Sequence, residues 1–410
     1  MFASLKVPDY RYLWIGLLAS AFALNMQLVA QGWLVYEMTG SAMSLTWVTL
    51  AFMLPQVVFS LIGGVLADRF AKKPVIGFAP ILNGLATLIM AVIIMFGDVT
   101  FWDFIWVGVI NGTALALSIP ARTAFIPEIV GDTLMFNAMA FNTASWNLSR
   151  ILGPALAGFM IAVFADGDTT STYGVGLVYF VLSGLYIISA VTVLQIRHSG
   201  RPSHANSGSP LQELHEGFTY VTGSPLVGGL ILLSILPFLF GLTINTLLPA
   251  FSTDILQGGP DDLGYLLTGM GVGAILGSLA LAKMASLRNK GYWLLGTSCL
   301  WGLLVGAFSL TTDFFIATII IGLIGFISAV NMSMNRSLVQ LQVEQRMRGR
   351  IMSIDMMSHG LMPLGVLPIG YIAETAGIPA GLFVSGLILC ISTIILGAMM
   401  PKIRSINLGY

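Results

Sequence analysis

Charge is what this sequence has least of. Lys, Arg, Asp and Glu make up 9% of its 410 residues, against 56% hydrophobic residues. A soluble domain carries roughly a quarter charged residues, so this surface cannot mostly face water; the mean hydropathy of +0.90 points the same way. Cysteine is nearly absent: Cys299 and Cys390 lie in separate apolar stretches without CxxC spacing. That excludes a disulfide framework and a cysteine metal site. Histidine is almost as rare, and three of the four, His198, His204 and His215, fall in one polar segment where they read as solvated linker side chains. No phosphate-cradling Gly-x-x-x-x-Gly-Lys-Ser/Thr, no HExxH and no GxGD occurs. ATP hydrolysis and intramembrane proteolysis therefore lack their residues. No metal, cofactor or nucleic-acid partner is predicted. Nor is a cleavable signal peptide evident, because the first apolar run is too long for one.

What is present is apolar length. A membrane-crossing helix needs about 20 apolar residues, and twelve stretches qualify: 12–37, 43–67, 74–97, 101–126, 136–165, 174–196, 225–253, 262–284, 291–311, 313–335, 347–374 and 379–400. The predicted fold class is an all-α membrane protein with twelve transmembrane helices in two six-helix bundles. The first bundle spans 1–196 and the second 225–410, joined by a cytoplasmic linker over 197–224 with a short amphipathic helix. With both termini inside, every Lys and Arg except Arg150 falls at a cytoplasmic end, as the positive-inside rule requires. A shift of 214 positions aligns Gly63 with Gly277, Arg122 with Arg336, Pro154 with Pro368 and Gln31 with Asn245. Parallel six-span repeats of this kind are a standard secondary-transporter architecture.

Two motifs carry the sharper signal. "GGVLADRFAKKPV" (63–75) follows the second stretch and places an acid at the inner end of a helix beside a basic loop. It resembles the Gly-x-Leu-x-Asp-Arg-x-Gly-Arg-Lys/Arg loop of the major facilitator superfamily. Gly64, Leu66, Asp68, Arg69, Lys72 and Lys73 match, and Ala71 replaces a glycine. "RILGPALAG" (150–158) resembles the superfamily's antiporter signature in the fifth span, with Gly153, Pro154 and Gly158 in place and Ala157 replacing a glycine. "GWLVYEMTG", "PARTAFIPEIV" and "MRGRIMS" are similar to stretches of its siderophore and macrolide exporter branch, the enterobactin-exporter-like group. The resemblance implies alternating access in a bacterial inner membrane, a small-molecule substrate, protons as coupling ion and a monomer in the bilayer. The runner-up is an importer; a receptor or intramembrane enzyme stands further off. It also implies a cytoplasmic gate made of Asp68, Arg69, Lys72 and Lys73, facing the basic segment around Arg350. Arg122 and Arg336, at paired inner ends, join that gate.

The candidate transport residues are few. Arg150 lies mid-span, and Pro154 frees its carbonyl from the helical ladder. A charge at that depth must face a wet cavity or a partner. It is read as counter-ion to an acidic substrate, partner to a titratable acid, or strut between spans. Asp355 and His359 share one helix face, and two readings stand: a proton relay, since histidine titrates near neutral pH, or a brace for the inner gate. Asn25, Gln27, Gln31, Asn111, Thr243, Asn245, Asn331 and Asn335 come from spans that line the superfamily's central cavity. Each could line an uncharged cavity suited to an amphipathic substrate, or simply bond a neighbouring helix.

Overall fold

A computed structural model describes residues 3–164, 172–200, 210–283, 289–344, 347, 351–352, 354–355 and 361–406. His359 and Arg350 lie outside the described residues, while Gly64 and Asp68 are described only as helical backbone. The described chain is helical almost throughout. In order, α1 is Pro8–Thr39, α2 Ala42–Arg69 and α3 Lys72–Phe96. They are followed by α4 (Phe101–Gly131) and α5 (Thr133–Phe164), and by α6 (Thr172–Gln195). The linker helix α7 is Pro210–Gly223. Then come α8 (Pro225–Asp254), α9 (Pro260–Lys283), α10 (Lys290–Ser309), α11 (Phe314–Gln342), α12 (Met362–Ala376) and α13 (Ile378–Met399). Eleven of the described helices are long and apolar enough to cross a membrane. The expected span at 347–374 is not one of the eleven; its longest described part is the 15 residues of α12.

The sequence explains the breaks. Between α4 and α5 the chain turns on Gly131, at φ 68° and ψ 170°, a conformation that costs glycine nothing and other residues a clash. In α8 the run "PFLFG" forms a single π-helical turn, Pro237–Gly241. Pro237 has no N–H for the ordinary ladder, and π turns of this kind collect at functional positions.

The helices fall into two compact units, one of residues 1–206 with 257–268, the other of 207–256 with 269–410. Lipid tails are as apolar as leucine, so helix association in a bilayer rests on close packing of small residues. In the first unit a Cβ on Gly63 would strike the Ala116 carbonyl oxygen, tying α2 to α4. In the second, a Cβ on Gly277 would strike the Phe326 carbonyl, tying α9 to α11 in the same way. The two glycines that align at a shift of 214 thus make the same kind of crossing in each unit.

At the end where α1 begins and α6 stops, the first unit has an apolar core of Tyr10, Leu13, Ile76, Phe125, Ile126, Val193 and Ile196. Above it, α5 is held tightly around its proline. A Cβ on Gly153 would lie 2.9 Å from that of Asn25 on α1, and one on Gly158 would strike the Pro260 carbonyl oxygen at the start of α9. The Thr268 hydroxyl donates to the Ile151 carbonyl at 3.0 Å, one of the backbone groups in the bent turn that needs a partner in lipid.

Candidate functional site

Helical geometry decides where Arg150 points. Along α5, Leu148, Leu152, Leu156, Phe159 and Val163 are exposed and recur at three- and four-residue spacing, forming an apolar stripe fit for lipid. Arg150 and Thr143 are also exposed, but on the opposite side of the helix. Arg150 makes no ion pair or hydrogen bond among the described residues. Next to it, Ser149 is fully buried and accepts a hydrogen bond from Asn25 Nδ2 at 3.3 Å; the same amide donates to the Ala21 carbonyl at 2.8 Å. Asn25 therefore fixes α1 to α5 one residue before the guanidinium.

A second cluster joins α1 and α4. Asn111 Nδ2 donates to Gln27 Oε1 at 3.1 Å, and Gln27 Nε2 donates to Gln31 Oε1 at 3.3 Å. Asn111 and Gln27 are buried while Gln31 is half-buried, so the chain of amides runs from the bundle interior toward its accessible end. A small cavity of about 30 Å³ is lined by Asn83, Asn111, Ser118, Arg122, Trp146 and Tyr186 together with apolar side chains such as Leu24 and Phe52. Arg122 Nε is enclosed there without a hydrogen-bond partner, as are Asn83 Oδ1 and Asn111 Oδ1. Among the described residues Arg122 makes no ion pair.

In the second unit the π turn of α8 organises the site. Ser385 donates to the Phe240 carbonyl at 2.6 Å and Thr243 to the Leu239 carbonyl at 2.8 Å, so the disrupted backbone is satisfied. Asn245 follows with its side chain exposed while Thr243 and Thr246 are buried. Asn331 and Asn335 point elsewhere. Asn331 Nδ2 donates to the Leu294 carbonyl and the Thr297 hydroxyl, each at 3.0 Å. Asn335 Nδ2 donates to the Leu230 carbonyl at 3.1 Å. Both amides brace α11 against neighbouring helices. Arg336 Nε lies 3.9 Å from Asp355 Oδ2, with the acid buried and the arginine half-exposed.

The basic motif residues are anchored in their own unit. Lys72, 2% exposed, pairs with Glu128 Oε1 at 2.6 Å. Lys73 Nζ donates to the Leu194 and Ile196 carbonyls at 2.9 and 2.6 Å, capping α6 with the charge its C-terminus favours. Arg69 is exposed at the end of α2. His198, read from sequence as a solvated linker side chain, is half-exposed and also stacks on Phe125, ring centroids 5.8 Å apart. Its partners, Phe125, Glu128 and Asp9, lie far away in sequence, which the composition of a linker cannot register. Glu128 stands in the quoted "PARTAFIPEIV", and an acid at an otherwise basic inner end was the available clue. Asn83 and Tyr186 carried no such signal.

Two units of apolar helices, broken at proline and glycine and carrying exposed polar side chains within the spans, have the architecture of a membrane transporter. Its family follows from comparison: a family model described as "Transmembrane secretion effector" matches residues 1–408, and the chain belongs to that family, part of the major facilitator superfamily. Among its relatives, it is 24% identical over 398 residues to "Multidrug efflux pump Tap" of Mycolicibacterium fortuitum, covering 94% of each chain. It is 26% identical over 341 residues to "Enterobactin exporter EntS" of Shigella boydii serotype 4 (strain Sb227), covering 82% of this chain and 76% of the relative. Solved structures with the same fold include the nucleoside transporter NupG (TM-score 0.74, 14% identity, 96% and 98% coverage) and a D-xylose-proton symporter (TM-score 0.72, 13% identity, 99% coverage of each).

Proposed function

We propose that the protein is a proton-coupled exporter of an amphipathic small molecule, working by alternating access as a monomer in a bacterial cytoplasmic membrane with both termini inside. The observation that carries this reading is Arg150: an exposed cation in the middle of a membrane span, unpaired among the described residues and on the face opposite the lipid-facing stripe. A charge at that depth needs an aqueous cavity, and a transported molecule with an acidic group is its natural partner. The amides of Gln31 and Asn245, accessible at repeat-related positions, add uncharged polar contacts. Asp355, buried beside Arg336, is the titratable group for coupling, with His359 four residues on. The gate draws on Asp68 and Arg69 with Arg350. Relatives named as an efflux pump and an exporter favour outward movement.

The test is flux in proteoliposomes, preceded by a susceptibility and export screen of a deletion strain to find the compound. A pH gradient should drive that compound against its own gradient. Gradient-driven movement in the reverse direction would make the protein an importer, and absence of any flux would sink the transporter reading.

A further inference from the structure

The first residues after α6, 196–200, do not leave the bundle as free linker. Asp9, at the start of α1, accepts the backbone N–H of Arg197 at 3.1 Å and of His198 at 2.9 Å, one on each carboxylate oxygen. The Lys73 N–H donates to the Ser199 carbonyl at 3.0 Å, while its ammonium holds the carbonyls of Leu194 and Ile196. Ile196 is buried in the inner core. Gly200 is buried at φ 72°, and a Cβ there would lie 2.9 Å from that of Lys72 and 3.0 Å from the Phe125 ring. Only glycine meets both demands. Three helix starts or ends are thus tied by one short segment.

We propose that residues 196–200 are a strap that fastens the gate-loop lysines to the first unit, and that protonation of His198 sets how firmly the strap closes. His198 Nε2 lies 3.7 Å from Glu128 Oε2, whose other oxygen holds Lys72. The charged and titratable groups around the imidazole are Asp9 and Tyr12 from α1, Lys72 from α3, Glu128 from α4 and Arg197 of the strap itself. Histidine is the side chain that changes charge between pH 5 and 8. Its cation is attracted to Glu128, whereas the neutral ring keeps only the stacking on Phe125. The strap therefore tightens on acidification and loosens as pH rises. Because the imidazole is half-exposed, the pair is a surface ion pair of at most about 1 kcal/mol, about a fivefold change in the released fraction.

A nitroxide at Ser199→Cys, in a full-length protein whose Cys299 and Cys390 are replaced by Ala, reports the strap directly in liposomes. The mobile fraction should rise up to about fivefold from pH 5.5 to pH 8. His198→Asn should abolish that pH dependence, and so should Glu128→Gln; the histidine variant leaves the Lys72–Glu128 pair intact and so separates release from misfolding. Gly200→Ala should be mobile at both pH values. A spectrum that does not change with pH, or a pH response that survives His198→Asn, overturns the switch. An immobile label in Gly200→Ala overturns the strap.

Discussion

Arg122 and Arg336 stand 214 positions apart, on α4 and α11, yet the two units surround them differently. Arg336 is half-exposed and faces a buried carboxylate, Asp355. Arg122 has its Nε enclosed beside a small, mainly apolar cavity with no acid beside it among the described residues. At the same shift, the position of Asp355 corresponds to Phe141, whose ring packs edge-on against Trp14 at 6.0 Å. The second unit thus sets an acid beside its arginine, whereas in the first unit Arg122 and Arg150 have no acid paired with them among the described residues. The division suits the proposed function, in which the acid of one unit serves coupling and the positive charge of the other meets an anionic group on the substrate.

The comparison breaks most severely at Asp355. Asp355→Asn keeps the shape and removes the titration, so uphill export driven by a pH gradient should fall at least about a hundredfold while downhill exchange persists, as expected when a titratable group rather than packing is lost. Uphill export that persists would leave Asp355 a brace, and His359→Ala, measured alongside, would then be silent as well.

Arg150 tests the other unit. Arg150→Ala should reduce export about tenfold or more, about 1.4 kcal/mol in transition-state terms. Arg150→Lys discriminates between roles, since the two cations differ in donor geometry. A simple counter-charge survives the exchange and a bidentate contact or strut does not. Normal export by Arg150→Ala would remove Arg150 from the mechanism.

A milder comparison concerns packing. Gly63→Val and Gly277→Val each push a side chain into a facing carbonyl, and overpacking of this kind costs about 1–3 kcal/mol. If the repeat is a packing repeat, both variants should lower the thermal midpoint by similar amounts. A large loss in one unit and none in the other would confine the likeness to sequence.

How much of this was legible beforehand follows from what kind of information each feature needs. Spans, the linker and the repeat rest on apolar length and on the placement of Lys and Arg, both local in sequence. The roles of polar residues inside spans do not. Asn25, Asn331 and Asn335 look like Asn245 in sequence, but they bond Ser149, Leu294 with Thr297, and Leu230, while Asn245 is exposed after a π turn. Whether an amide braces or lines a cavity depends on a partner helix that no local pattern names. The strap was hidden for the same reason: Asp9 and His198 are 189 positions apart.

The smallest expected effect probes the register itself. If the two units superpose at the depth of the arginines, a carboxylate at position 141 falls where Asp355 stands relative to Arg336, within reach of Arg122. Phe141→Asp alone is uninformative, because it also deletes the contact with Trp14. Phe141→Asn loses the same ring and adds a group of the same shape without charge, so the difference between the two isolates the ion pair. Phe141→Asp should be more stable than Phe141→Asn by about 0.5–1 kcal/mol, the range of a partly screened pair. Arg122→Met should erase that advantage in a double-mutant cycle, the arrangement that separates a pairwise interaction from the cost of each change. Equal stability of the Asp and Asn variants would mean that the first unit has lost the geometry along with the acid, and that the cavity around Arg122 is a feature of its own rather than a vacated ion-pair site.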